Sequence, residues 1–86
     1  MPLEKGTVVC SRNGRDKGYF MVVFRSDEKN IYLCDGHERP IEHPKKKNIK
    51  HICPTRFKLS EQQMKSNKAL KRALREFNTN NVKGEI

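Results

Sequence analysis

The stretch from Gly6 to Gly18, running into Tyr19-Phe-Met-Val-Val-Phe24, constrains the fold more than any other part of the chain. Thr7 to Ser11 is rich in β-formers, and Tyr19 to Phe24 is almost wholly aromatic and β-branched, so the pattern reads strand, connection, strand. The connection, Arg12-Asn13-Gly14-Arg15-Asp16-Lys17-Gly18, holds three cations and two glycines. Gly14 and Gly18 allow positive φ or a bulge, which lets the loop close tightly while Arg12, Arg15 and Lys17 stay outside. Asp16 reads as a turn residue or an ion-pair partner. A compact loop of fixed cations on a β-scaffold suits a phosphate backbone.

Beyond Phe24, Arg25-Ser-Asp-Glu-Lys-Asn30 is a polar turn of the kind that joins antiparallel strands. Ile31 to Cys34 forms a third strand ending at Asp35-Gly36, and short strands are expected around Glu38 to Glu42 and Ile49 to Cys53. Val8, Val22, Ile31, Leu33, Ile41, Ile49 and Ile52 would supply much of the core. Strand two is apolar on both faces, which leaves the orientation of Phe20 and Met21 open. The pattern then changes. Ser60-Glu-Gln-Gln63 is a capping box, with Leu59 and Met64 at the two positions of a hydrophobic staple. Leu70, Ala73, Leu74 and Phe77 follow at helical spacing as one apolar stripe. Lys71, Arg72 and Arg75 lie near its end, where cations complement the helix dipole. The expected organisation is a β unit over 1–55, a linker over 56–59, a helix over 60–78 and a flexible tail over 79–86. The stripe is expected to pack back on the β unit, with docking on a protein partner as the alternative.

Charge narrows the function classes. Nineteen Lys and Arg against ten Asp and Glu give a formal charge of +9 and a pI near 9.8, which favours a polyanionic partner. Eighty-six residues build a modest core, and deep substrate pockets are not expected. No apolar run approaches transmembrane length and Met1-Pro-Leu-Glu-Lys lacks a signal peptide's hydrophobic region, so the expected setting is cytoplasmic, without membrane contact. Cys10, Cys34 and Cys53 are odd in number and far apart, which argues against a disulfide framework and for free, buried thiols. Cys34-x-x-His37 and His51-x-Cys53 are the one pair of segments that could converge on zinc, but no Cys-x-x-Cys is present, and no metal or other cofactor is expected. No nucleophile elbow or P-loop occurs, so no enzyme is expected.

The first strand with Gly6 and Val8, then Gly14-Arg15-Asp16-Lys17-Gly18, then the apolar strand through Val23, resembles the KOW motif of RNA-binding and ribosomal proteins. The likeness is closest to KOW-bearing large-subunit ribosomal proteins of archaea and eukaryotes and to their small bacterial relatives. It continues more loosely through Ile31–Gly36, Arg39-Pro40 and Pro44–Ile52, covering roughly residues 4 to 55. The expected fold is therefore mainly β, a small SH3-like (KOW) five-stranded barrel with a C-terminal amphipathic helix, and five short strands without an intervening helix suit it. The resemblance implies association with ribosomal RNA.

A second cationic segment follows, His43-Pro44-Lys45-Lys46-Lys47-Asn48-Ile49-Lys50-His51. Pro44 excludes helix entry, and lysines supply point charges for backbone attraction rather than base reading. The same lysines would equally protect a sheet edge. Among Tyr19, Phe20, Phe24 and Tyr32, Tyr19 borders the cationic loop and is the best placed to stack on a base. The expected RNA-binding residues are Arg12, Asn13, Arg15, Lys17, Tyr19, Arg39, Lys45, Lys46, Lys47 and Lys50. The alternative function is a KOW/SH3-like protein-interaction module of the transcription or translation machinery.

Overall fold

The computed structural model describes residues 3–15 and 17–80. Five strands, β1 (Thr7–Ser11), β2 (Phe20–Ser26), β3 (Asn30–Cys34), β4 (Lys45–Asn48) and β5 (Ile52–Lys58), precede one helix, α1 (Asn67–Asn80). Short 3₁₀ turns occupy Ile49–His51 and Gln62–Met64. The protein is mainly β: the strands form one antiparallel sheet in the order β4-β3-β2-β1-β5. No ladder joins β4 to β5 among the described residues, so the sheet is open at those two edges.

The β2–β3 turn is set by Asp27, whose carboxylate accepts from the backbone N–H groups of Asn30 (2.8 Å) and Lys29 (3.1 Å). Those bonds favour the ionised form and hold its pKa below the usual aspartate value. Alternation along the strands divides the core between two faces. Val8, Val22 and Cys34 face α1 and pack with Leu59, Met64, Leu70 and Leu74. Val9, Met21, Val23, Ile31, Leu33 and Ile52 form a second cluster on the opposite face. Met21 thus points away from the helix, while Phe20 packs toward it and meets the ring of Phe77 at 5.6 Å. Ile41 and Ile49, expected in the core, are half-buried at the margins of the two clusters.

Several boundaries differ from those read in the sequence. Residues 38–42 form turns rather than a strand, because Asp35 captures the Arg39 N–H and Pro40 has none to give. The lysine run is a strand, paired with β3 as Lys45↔Leu33, Lys46↔Tyr32 and Lys47↔Ile31. Ile49–His51 is a 3₁₀ turn capped by the Asn48 side chain, which accepts from Lys50 N–H at 2.8 Å. Consequently β5 begins at Ile52 and runs on through positions 56–58, past Pro54, which an edge strand tolerates. A bulge lies opposite Thr7–Val9, where the Thr55 hydroxyl donates to Val8 O (2.7 Å) and accepts from Phe57 N–H (3.1 Å).

The helical half is two pieces. The capping box forms as read: Ser60 N–H donates to Gln63 Oε1 (2.8 Å) and Gln63 N–H to Ser60 Oγ (3.3 Å). It caps only the 3₁₀ turn. Ser66 then starts α1 afresh, its Oγ accepting from Ala69 N–H at 3.1 Å. The apolar stripe packs back on the sheet through Leu70 and Leu74. Asn67 Oδ1 accepts from Ile41 N–H (2.7 Å), and Asn78 Oδ1 accepts from Phe20 N–H (2.8 Å). Of the expected flexible tail over 79–86, positions 79–80 belong to α1; the remainder and the turn role of Asp16 lie outside the described residues.

Candidate functional site

The β1–β2 loop is closed at its base by Ser11 N–H to Tyr19 O (3.1 Å) and Gly18 N–H to Ser11 O (2.9 Å). Both glycines adopt φ near +87°, Gly14 at 87° and Gly18 at 86°, a region costly for other residues. Arg12 N–H donates to His51 O at 2.9 Å, which ties the loop to the 3₁₀ turn before β5. With the backbone anchored in this way, Arg12, Arg15 and Lys17 are left exposed.

A second anchor is Asp35, only 2% exposed. Its Oδ1 accepts from His37 N–H and Arg39 N–H, both at 2.9 Å, which folds residues 35–39 into a tight turn. Its Oδ2 accepts from the Tyr19 hydroxyl at 2.7 Å. Burial and this carboxylate together push the Tyr19 pKa well above the ordinary tyrosine value. Tyr19 therefore links the exit of one cationic loop to the start of the other. Gly36 brings this turn against α1: its φ is +80°, and a Cβ there would meet Asn67 O at 2.3 Å.

Between the two loops lies a depression of about 420 Å³, lined by Arg15, Tyr19, Met21, Glu38, Arg39 and Lys45 beside Asp35. Four of the sequence-predicted residues, Arg15, Tyr19, Arg39 and Lys45, are thus brought together. Lys47 has a different place: its ammonium donates to Ser11 Oγ (2.5 Å) and Asn13 O (3.2 Å). β3 and β2 separate β4 from β1 in the sheet, so this reach requires the sheet to curl. Lys47 spans the curl, and Asn13 serves as its acceptor. Lys46 alternates to the other face of β4, beside Tyr32, over whose ring Arg25 sits at 4.0 Å. Lys50 is exposed on the 3₁₀ turn, apart from the depression.

Residues missed in the sequence adjoin the same site. Across the Tyr19–Asp35 link is a smaller hollow of about 170 Å³, bordered by His37, Lys71 and Arg75. The four-residue spacing of Lys71 and Arg75 places them on one helix face, which was the available signal. The thiols do not converge on His37 or His51: Cys34 is wholly buried against the helix face, and Cys53 is exposed opposite Cys10. Burial raises the Cys10 pKa, keeping that thiol protonated. Among the described residues, no three His, Cys, Asp or Glu side chains cluster as metal ligands, and no helix is long and apolar enough to cross a membrane. No protein-family model matches this chain, and no curated protein does either.

Proposed function

We propose that this chain is a KOW-type RNA-binding module that docks its basic loops on structured ribosomal RNA. The observation that carries the reading is the convergence of Arg15, Arg39 and Lys45, from three separate segments, on one depression. Lys71 and Arg75 extend the same cationic surface onto the helix. A run of scattered lysines would give attraction alone; cations fixed at set spacings on tied loops give preference for a phosphate arrangement. The strand order, the curl spanned by Lys47 and the 3₁₀ turn between β4 and β5 support the SH3-like barrel as the underlying fold.

The test is binding to purified ribosomal subunits and to a generic RNA duplex across a salt series. Saturable binding to one subunit, persisting at salt that strips the duplex, supports a defined ribosomal site. Equal and steeply salt-sensitive binding to both reduces the protein to a nonspecific polyanion binder. A second reading, a protein-interaction module, is favoured by Phe57, which is 55% exposed on edge strand β5 and meets only the Phe77 ring, at 5.3 Å edge-on, among its aromatic neighbours. A partner held that way would survive nuclease treatment.

A further inference from the structure

The depression between the loops is not built for phosphate alone. The half-buried Tyr19 lines it, with the buried Met21 behind the same lining at 2% exposure, so part of its surface is apolar. Among its cations stands Glu38, exposed, and among the described residues nothing donates a hydrogen bond to its carboxylate or pairs with it. The oxygens of Asp35 are engaged by Tyr19, His37 and Arg39. Among the described residues Glu38 is thus an open acceptor in the site, and toward phosphate it is repulsive. Toward a nucleobase it is useful.

We infer that the depression takes one unpaired guanine of the bound RNA, its base against Tyr19 and its Watson–Crick edge on Glu38. Guanine presents two adjacent donors on that edge, N1–H and the 2-amino group, matching the two oxygens of one carboxylate. Adenine and cytosine offer an amino group without a neighbouring N–H donor, and uracil a single N–H. In a duplex these donors are already paired, so the base must come from a bulge, loop or end. A hollow of about 420 Å³ lies within the range of small-molecule sites, roughly 300–1,000 Å³, which is room for a single nucleoside rather than a stack. The planar guanidinium of Arg15 or Arg39 can cover the exposed base face, and Lys45 can meet its phosphate. Lys71 and Arg75, across the Tyr19–Asp35 link, are placed for the next phosphate.

This inference rests on the RNA-binding reading, and the experiment separates the two. Labelled RNA hairpins, identical except for no bulge, a single guanosine bulge or a single uridine bulge, are titrated with the full chain at one salt concentration. The expected result is binding of the guanosine bulge about tenfold tighter than of either other hairpin. Glu38→Gln should erase the guanosine-over-uridine preference without weakening the fully paired hairpin, whose affinity holds or rises once the charge that repels phosphate is gone, and its unfolding midpoint confirms that the variant folds. Equal binding of all three hairpins overturns the guanine site and leaves the RNA reading standing. No binding to any hairpin overturns both. A guanosine preference that survives Glu38→Gln removes Glu38 from the site and with it the inference. Guanosine monophosphate binding as tightly as the bulged RNA would replace the RNA base by a free nucleotide and equally overturn it.

Discussion

The two faces of the sheet are sealed in different ways. On one, α1 lays Leu70 and Leu74 over Val8, Val22 and Cys34, and an apolar element closes an apolar surface. On the other, Val9, Met21, Val23, Ile31, Leu33 and Ile52 are covered by the curl of the sheet itself, with Leu3, Tyr19 and Ile49 packed at the margin. Lys45 and Lys47 share that face by their register with Leu33 and Ile31. Their stems extend the apolar cover, and the Lys47 ammonium reaches across to the loop. On the first face the apolar packing can change with little effect on charge placement, as long as Asn67 and Asn78 keep their backbone bonds to Ile41 and Phe20. On the second, the residues that close the core also position the cations, so stability and binding are coupled there.

The strongest challenge to this contrast is Leu74→Ala. Truncating a buried leucine on the helix face should cost about 2–5 kcal/mol in urea unfolding, while the folded protein keeps its RNA affinity and salt slope. An altered salt slope would break the separation of the faces. Gly36→Ala comes next, at about 1–3 kcal/mol, since it forces an unfavourable positive φ as well as a clash with Asn67 O. Because Gly36 sits between the helix and the Asp35 turn, both melting and RNA binding should suffer, and an effect on melting alone would sharpen the line between the faces.

Tyr19→Phe should cost about 1–3 kcal/mol by leaving Asp35 Oδ2 without its donor, and it should weaken RNA binding as the two loops uncouple. Its pH signature has a definite sign. The folded pKa of Tyr19 is raised, so its contribution is complete below the ordinary tyrosine value of about 10 and is lost as pH rises beyond it. The variant should therefore show a shallower alkaline loss of stability. The smallest effects distinguish neighbouring lysines. Lys47→Met should lower stability by about 0.5–1.5 kcal/mol by removing the bonds to Ser11 and Asn13, with little change in salt slope. Lys45→Met should reduce the salt slope by about one phosphate. The reverse assignment would show that strut and contact have been exchanged.

What the sequence disclosed follows from which signals are local. The Thr7–Phe24 hairpin, the Asp35-Gly36 turn and the Ser60–Gln63 capping box are each specified within a few residues, and each forms. The lysine strand was hidden because its composition argues for a solvated loop, and only pairing with β3 makes it a strand. The break before α1 was a competition between two serine caps, and the apolar stripe gives no sign of it. Of the site, the cations could be named but not their partners. Nothing local shows that Tyr19 will meet a carboxylate sixteen residues on, or that Lys47 will turn back to Ser11.

The two asparagines of α1 have a consequence for spacing. Asn67 grips Ile41 beyond the Asp35 turn, and Asn78 grips the backbone of Phe20 next to the loop exit, donating to its carbonyl at 3.2 Å as well as accepting from its N–H. Eleven residues separate them, about three helical turns and about 16 Å, so both project from the same side. The helix thus works as a caliper whose jaws rest on the two basic loops. One residue inserted between Lys68 and Phe77 would rotate one jaw by about 100°, and the loops would lose their common gauge while every cation remained in the chain.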